Sequence, residues 1–332
     1  MKIHQNESLL STFLRAAQSG RVLHAYILEG PQGSGKMTLA RYFAALLCCP
    51  SENKPCFSCR ICRLIESGDF PDVMELRHED ISKQIRVEDV RIFIEEAYMT
   101  PVEADRRVFI LENTQCMNAA GQNSLLKTFE EPPQGVTFIL LTTEASALLP
   151  TIVSRGALLQ TEPLHEEVIF RALQERYPGK NAEELRFASL IAGGSLGFAC
   201  DIATGGEVLA LRQKTMHYLE TLLGGKGMYD LLAAFPPAAV TRSELAVFFS
   251  FLTLGMRDIL MYTSLRDVPE KLLFFDSPSS LIAVCRAFPP QRASALFDLV
   301  GEFTALLPKN INIFSCLCDF ATRACALAQG KK

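Results

Sequence analysis

The chain has 332 residues, 48% of them hydrophobic and 21% charged, a length that usually exceeds one hydrophobic core and predicts two or three domains. Its net charge of −4 argues against a protein that holds DNA alone by neutralising phosphates, which leaves contacts that are local or shared with partner chains. The start is polar rather than an apolar signal core, and no segment approaches the roughly 20 apolar residues that span a bilayer, so no membrane role is expected.

From residue 1 to about 163, short apolar runs alternate with helical patterns, the signature of an α/β domain with a parallel sheet and crossover helices. The first run, Ala25-Tyr26-Ile27-Leu28, leads into Gly30-Pro31-Gln32-Gly33-Ser34-Gly35-Lys36, which matches GxxxxGK between a strand and a helix. Glycines there let backbone N–H groups converge on phosphate oxygens, the helix N-terminus adds its positive end, and Lys36 reaches the terminal phosphates. The next residue should carry a hydroxyl for Mg²⁺, but it is Met37, and Thr38 follows one position late on another side of the helix. ATP with Mg²⁺ is therefore expected to bind weakly at most.

The next cluster, Cys56-Phe57-Ser58-Cys59-Arg60-Ile61-Cys62, has CxxCxxC spacing, with Cys48 and Cys49 a few residues upstream. Four thiolates satisfy tetrahedral Zn²⁺, so Cys56, Cys59 and Cys62 with Cys49, or with Cys48 in its place, predict a structural zinc module over residues 48–62. Eleven cysteines without an export signal point to a reducing compartment, the cytoplasm. The other six are scattered and read as core residues.

Val73–Leu76 reads as a second strand, Val87–Ile94 as a helix, and Val108–Leu111 as a third strand ending in Glu112-Asn113. In a competent ATPase such a strand ends in Asp-Glu, one acid for Mg²⁺ and one for the attacking water; an amide at Asn113 can orient water but takes no proton at neutral pH. A helix follows over residues 118–129, then a strand over Val136–Leu141 that ends in Thr142-Thr143. After about 163 the β signals stop. Residues 164–205 read as a small helical lid, broken at Tyr177–Lys180 and at Gly193-Gly194. Residues 206–332 read as a helical collar divided at Gly224–Gly227, Pro236-Pro237 and Pro289-Pro290.

The stretch Asn118-Ala119-Ala120-Gly121-Gln122-Asn123-Ser124-Leu125-Leu126-Lys127-Thr128-Phe129-Glu130-Glu131-Pro132-Pro133 resembles the N-x-LLKTLEEPP segment of bacterial clamp-loader subunits of DNA polymerase III, an AAA+ family. Thr142-Thr143, Ser154-Arg155-Gly156 and the position of the cysteine cluster follow the same order. The resemblance runs from about His24 to Leu164 and weakly on through Gly193-Gly194-Ser195 and Asn310-Ile311-Asn312. It implies a hetero-pentameric ring with gamma/tau and delta subunits that uses ATP to place a sliding clamp on primed DNA. It also implies that Ser154 and Arg155 carry a Ser-Arg-Cys motif, with Arg155 as an arginine finger on the neighbour's γ-phosphate. Gly30, Gly33, Ser34, Gly35, Lys36, Met37, Thr38, Glu112, Asn113 and Thr143 are then its own nucleotide positions, and Gly197 stands where the lid arginine would fall. Met37, Asn113 and Gly197 depart from the motor subunits, which fits the delta-prime type, with an active gamma/tau-type ATPase as the alternative.

Overall fold

Runs of branched and aromatic residues set the centre of the first unit. The computed structural model describes residues 3–78, 83–204, 208–235, 240–270, 272–285, 288–307 and 312–330, and the chain divides into two compact units, residues 1–200 and 201–332. In the first, β1 (Ala25–Glu29), β2 (Val73–Leu76), β3 (Arg107–Leu111), β4 (Val136–Thr142) and β5 (Ala157–Gln160) form one sheet in the order β2-β3-β4-β1-β5. Every neighbouring pair is parallel. β3 and β4 are buried at every position, which is why their sequences read as continuous apolar runs rather than alternating ones.

Helices cover both faces. The elements α1 (Glu7–Ser19), α2 (Lys36–Cys48) and α3 (Arg60–Ser67) pack Phe13, Leu39, Phe43 and Ile65 against Tyr26 and Leu28 of β1 and their neighbours. On the other face α4 (Val87–Glu96), α5 (Ala119–Glu130) and α6 (Pro150–Val153) pack Phe93, Leu125, Phe129 and Ile152 against Ala25, Ile27, Phe109 and Phe138. The alternation of Ala25, Tyr26, Ile27 and Leu28 between two cores is the period-two geometry of a strand. The unit also holds α7 (Glu166–Arg176), α8 (Ala182–Ile191) and the start of α9 (Leu196–Thr204), with breaks at Tyr177–Lys180 and Gly193-Gly194 where the sequence predicts them.

The four strands expected from sequence are present, and the structure adds β5. Ala157-Leu158-Leu159-Gln160 alternates between half-buried and exposed positions on the sheet edge, with β1 as its neighbour. A four-residue edge strand carries too little apolar periodicity to stand out. A buried carboxylate closes the opposite edge. Asp72 is fully buried and accepts from the N–H groups of Val102, Glu103 and Ala104 at 2.7–2.8 Å, while Arg107 Nε approaches it at 3.7 Å. Arg107 also donates to the carbonyls of Glu96 and Met99, so this pair fixes the connection from α4 to β3.

The second unit is helical: α10 (Val208–Leu223), α11 (Met228–Ala234), α12 (Arg242–Leu265), α13 (Pro278–Cys285), α14 (Pro290–Leu306) and α15 (Ile313–Gln329). The expected break at Gly224–Gly227 separates α10 from α11, and α14 begins at Pro290; Pro236-Pro237 and Asn310-Ile311 lie outside the described residues. Against the expectation of no spanning segment, Glu244–Leu265 is long and apolar enough, by length and composition, to cross a membrane. Its apolar side chains have a different use. Leu245, Phe248, Phe249, Phe251, Leu252, Met256 and Ile259 are buried within the bundle.

Among them α12 buries Asp258, whose Oδ2 accepts from the N–H groups of Leu273 and Phe274 at 2.9 Å and whose Oδ1 accepts from Arg257 at 3.0 Å. The carboxylate thereby ties the segment before α13 to the central helix. Asp258→Ala strands these backbone donors in an apolar surround and should cost about 3 kcal/mol, read as a lower urea midpoint of the full-length chain with little change in slope.

Candidate functional site

The carboxyl ends of parallel strands are where open α/β sheets bind ligands, and this sheet gathers the candidate nucleotide positions there. Gly30–Lys36 follows β1, Glu112-Asn113 follows β3 and Thr143 follows β4. Gly33 and Gly35 take φ of +74° and +85°, left-handed values that glycine adopts without strain, and Gly35 caps α2. The loop is closely covered. A Cβ on Gly30 would lie 1.9 Å from Thr161 Oγ1, and one on Gly33 would lie 1.9 Å from Ser195 Oγ and 3.4 Å from the Gly197 nitrogen. The two residues ahead of and within α9 therefore lie against the phosphate loop, and Gly197 brings no charge there.

Lys36 is turned onto its own loop. Its Nζ donates to the carbonyls of Gly30 and Pro31 at 2.7 and 2.8 Å, and the side chain is buried. Burial lowers its pKa to about 8, with the Glu112 charge opposing the shift. Ser34 Oγ shares a 3.0 Å hydrogen bond with Thr161 Oγ1. Met37 packs against the core beneath α2, so an apolar contact occupies the place of a metal-binding hydroxyl. Thr38 lines a cavity of about 50 Å³ together with Ile3, Asn6, Ser34, Leu164 and Leu196. That is room for a water or two, against several hundred Å³ for an ordinary ligand pocket.

The second motif is bound up in a relay of amides. Asn113 has φ +51° and is buried; its Nδ2 donates to the His78 carbonyl at 2.7 Å, and its Oδ1 accepts from Gln115 Nε2 at 3.2 Å. Gln115 Oε1 in turn accepts from Thr142 Oγ1 at 3.2 Å and from the Thr143 N–H at 3.3 Å. Glu112 accepts from the His78 N–H at 3.4 Å. The residues expected to position metal and water are thus engaged with the backbone after β2 and the end of β4. Gln115 went unnoticed in the sequence, because a lone glutamine two residues past a strand has no motif to mark it.

Ser154 and Arg155 lie at the other end of the sheet. Tyr26 pairs with Ala157 and Glu29 with Gln160, so Arg155 precedes the start of β5 while the phosphate loop follows the end of β1. At about 3.3 Å per residue the length of β1 separates them by some 15 Å, beyond the reach of an arginine side chain. Ser154 Oγ donates to the Thr151 carbonyl at 3.2 Å and is exposed. Arg155 is partly exposed and donates to that same carbonyl at 2.9 Å and to Glu130 Oε1 at 2.8 Å.

The cysteine cluster closes on a single point. The sulfurs of Cys49, Cys56, Cys59 and Cys62 all lie within 4.8 Å of one another, Cys49 to Cys56 at 3.6 Å and Cys49 to Cys59 at 4.0 Å. A tetrahedral centre with metal–sulfur bonds of about 2.3 Å requires sulfurs about 3.8 Å apart, so the cluster could hold such an ion. Backbone N–H groups of Cys59 and Cys62 point at the sulfurs of Cys56 and Cys59, both at 3.4 Å. Backbone donors from Ser58 and then Cys59 bring the Cys56 thiol down to about 6. Cys48 turns away: its sulfur is 3.9 Å from the Arg106 carbonyl, and burial pushes its thiol up to about 12. Cys49 caps the end of α2 and Cys59 the start of α3, so an ion here would join the two helices.

Cobalt(II) as a probe separates the two neighbours. Cys49→Ser should weaken the sulfur-to-cobalt charge-transfer absorption of the full chain and loosen binding at least tenfold, whereas Cys48→Ser should leave the spectrum as it is.

Residues 5–165 match the family described as DNA polymerase III, delta subunit. A DNA polymerase III subunit delta' of Bacillus subtilis is 28% identical over 310 residues, covering 92% of both chains. A subunit delta' of Pseudomonas aeruginosa is 38% identical over 179 residues, 52% of this chain and 53% of that one. A subunit gamma of Buchnera aphidicola is 36% identical over 157 residues, 47% of this chain and 43% of that one. Against the gamma-named relatives the chain spans well under two thirds of their length, 43% and 57% in the two Buchnera proteins. By its matched domain and these relatives, the chain is similar to clamp-loader subunits of DNA polymerase III.

Proposed function

We propose that this chain is the delta-prime-type subunit of a clamp loader. Its own nucleotide site is catalytically degenerate, and it supplies Arg155 to the ATP site of a neighbouring motor subunit. The observation that carries the reading is the placement of Arg155 at the end of the sheet opposite the chain's own phosphate loop, where it can serve a site only in another chain. A guanidinium keeps its charge at any physiological pH and offers a planar fork of donors to phosphate oxygens. At a subunit boundary it can stabilise charge that develops on a neighbour's γ-phosphate.

The state of the chain's own loop supports the other half. Phosphoryl transfer needs positioned metal and charge. Here Met37 packs into the core, the Asn113 amide is spent on His78 and Gln115, and Gly197 stands against Gly33. Lys36 would have to leave two carbonyls to meet a phosphate. Within the same reading residues 164–205 act as a lid and 206–332 as a collar that joins gamma/tau and delta partners in a five-membered ring. Residues 205–207, at the boundary between them, lie outside the described residues. The ring would place a sliding clamp on primed DNA in the cytoplasm. Zinc on Cys49, Cys56, Cys59 and Cys62 would be structural, since four thiolates leave no open position for water.

The isolated chain should hydrolyse ATP at a negligible rate, and equilibrium binding of ATP with Mg²⁺ should be weak. A purified monomer that turns over like a motor subunit would instead establish the gamma/tau-type reading. In a reconstituted ring, Arg155→Ala should leave assembly intact and lower hydrolysis at the one site it faces by about 10³-fold or more, with clamp loading falling accordingly. Arg155→Lys should restore little, because a point charge lacks the fork. Wild-type loading by the Arg155→Ala ring would reduce the chain to a scaffold.

A further inference from the structure

An arginine at an exposed boundary samples many rotamers, and ordering it costs conformational entropy at the moment a phosphate arrives. Arg155 is already ordered. Its Nη2 donates to Glu130 Oε1 at 2.8 Å and its Nη1 to the Thr151 carbonyl at 2.9 Å. Two contacts at different points of a rigid plane define the plane's orientation. A guanidinium has five N–H donors, so two such bonds leave three to face a phosphate.

The two anchors also belong to one body. Glu130 is the last residue of α5, and the adjoining Phe129 is buried against Phe138 of β4 with ring centroids 5.4 Å apart. Gln122, in the first turn of the same helix and almost fully buried, donates from Nε2 to the Ala147 carbonyl at 3.1 Å and accepts from the Leu149 N–H at 2.7 Å. Leu149 is the residue that leads into α6, from which Thr151 and then Arg155 follow. One buried amide therefore joins the helix that ends in Glu130 to the turn that carries Arg155.

We propose that Glu130 is a positioning residue for Arg155: its carboxylate sets the direction of the guanidinium before a partner's ATP meets it. The inference rests on the finger role of Arg155 and adds to it a residue 25 positions away in the chain. Glu130 touches no substrate and acts through Arg155, so its effect must vanish when Arg155 is absent.

A double-mutant cycle in the assembled ring tests this, with full-length chains carrying Glu130→Ala, Glu130→Gln, Arg155→Ala, or both alanines. The measured quantity is the part of the ring's ATPase that Arg155→Ala removes. Glu130→Ala should lower kcat for that part about tenfold with KM for ATP unchanged. Glu130→Gln should retain more, since an amide oxygen still accepts a hydrogen bond. The double variant should match Arg155→Ala alone, and the thermal midpoint should hold, because exposed ion pairs contribute little to stability. Full activity in Glu130→Ala beside a deficient Arg155→Ala would overturn the positioning role and leave the finger standing. A further loss in the double variant would also overturn it, by showing that Glu130 acts elsewhere. Full activity in Arg155→Ala would remove the finger reading itself, and this inference with it.

Discussion

The hydrogen bonds of β1 to β4 on one side and to β5 on the other hold the whole functional layout in place. Because all the strands run parallel, each has a carboxyl end on the same edge of the sheet. The Gly30–Lys36 loop leaves β1 on that edge, and the Thr142 carbonyl accepts from the Gly30 N–H at 3.1 Å. Arg155 enters β5 on the opposite edge. A sheet of the same residues with β5 antiparallel would bring Arg155 beside its own loop. The direction of one short edge strand thus sets Arg155 and the Gly30–Lys36 loop at opposite ends of the sheet.

The Gly30–Lys36 loop has the glycine curl of the GxxxxGK pattern, and its polar groups are engaged in internal contacts. Glycines at Gly33 and Gly35 preserve the curl, yet the ammonium of Lys36 bonds to carbonyls of the same loop. Each of these contacts satisfies a group that would otherwise be buried without a partner, which is costly. The same logic holds at Asn113, where an amide that both donates and accepts bridges two segments that a carboxylate could not bridge alone.

Buried carboxylates and thiols do the fixing away from this site. Asp72 collects three backbone donors and Arg107 on the sheet edge, and Asp258 collects backbone donors in the helical unit. The thiols of Cys49, Cys56, Cys59 and Cys62 converge between α2 and α3. An ion shared by the four thiols would add a constraint to the packing of Cys49, Cys62 and Ile65 in the core.

Much of this was legible in the residues themselves. GxxxxGK after an apolar run, CxxCxxC, and the long Asn118–Pro133 stretch are local patterns, and local patterns are what a sequence displays directly. The continuous apolar runs of β1, β3 and β4 announced strands covered on both faces. What stayed hidden depends on chain segments far apart. The choice of Cys49 over Cys48 turns on the end of α2, where one thiol faces the cluster and the next faces the Arg106 carbonyl. The β5 strand is too short to show a period, and it exists because β1 offers it an edge. Gln115 and Gln122 carry no motif; their roles arise only when a strand end or a helix start lies within hydrogen-bonding distance. Sequence alone determined which chemical groups the chain has and which helices and strands could form. Only the tertiary structure decided which of those groups meet, because a hydrogen bond or a metal site depends on distances of a few ångströms between residues that the sequence keeps apart.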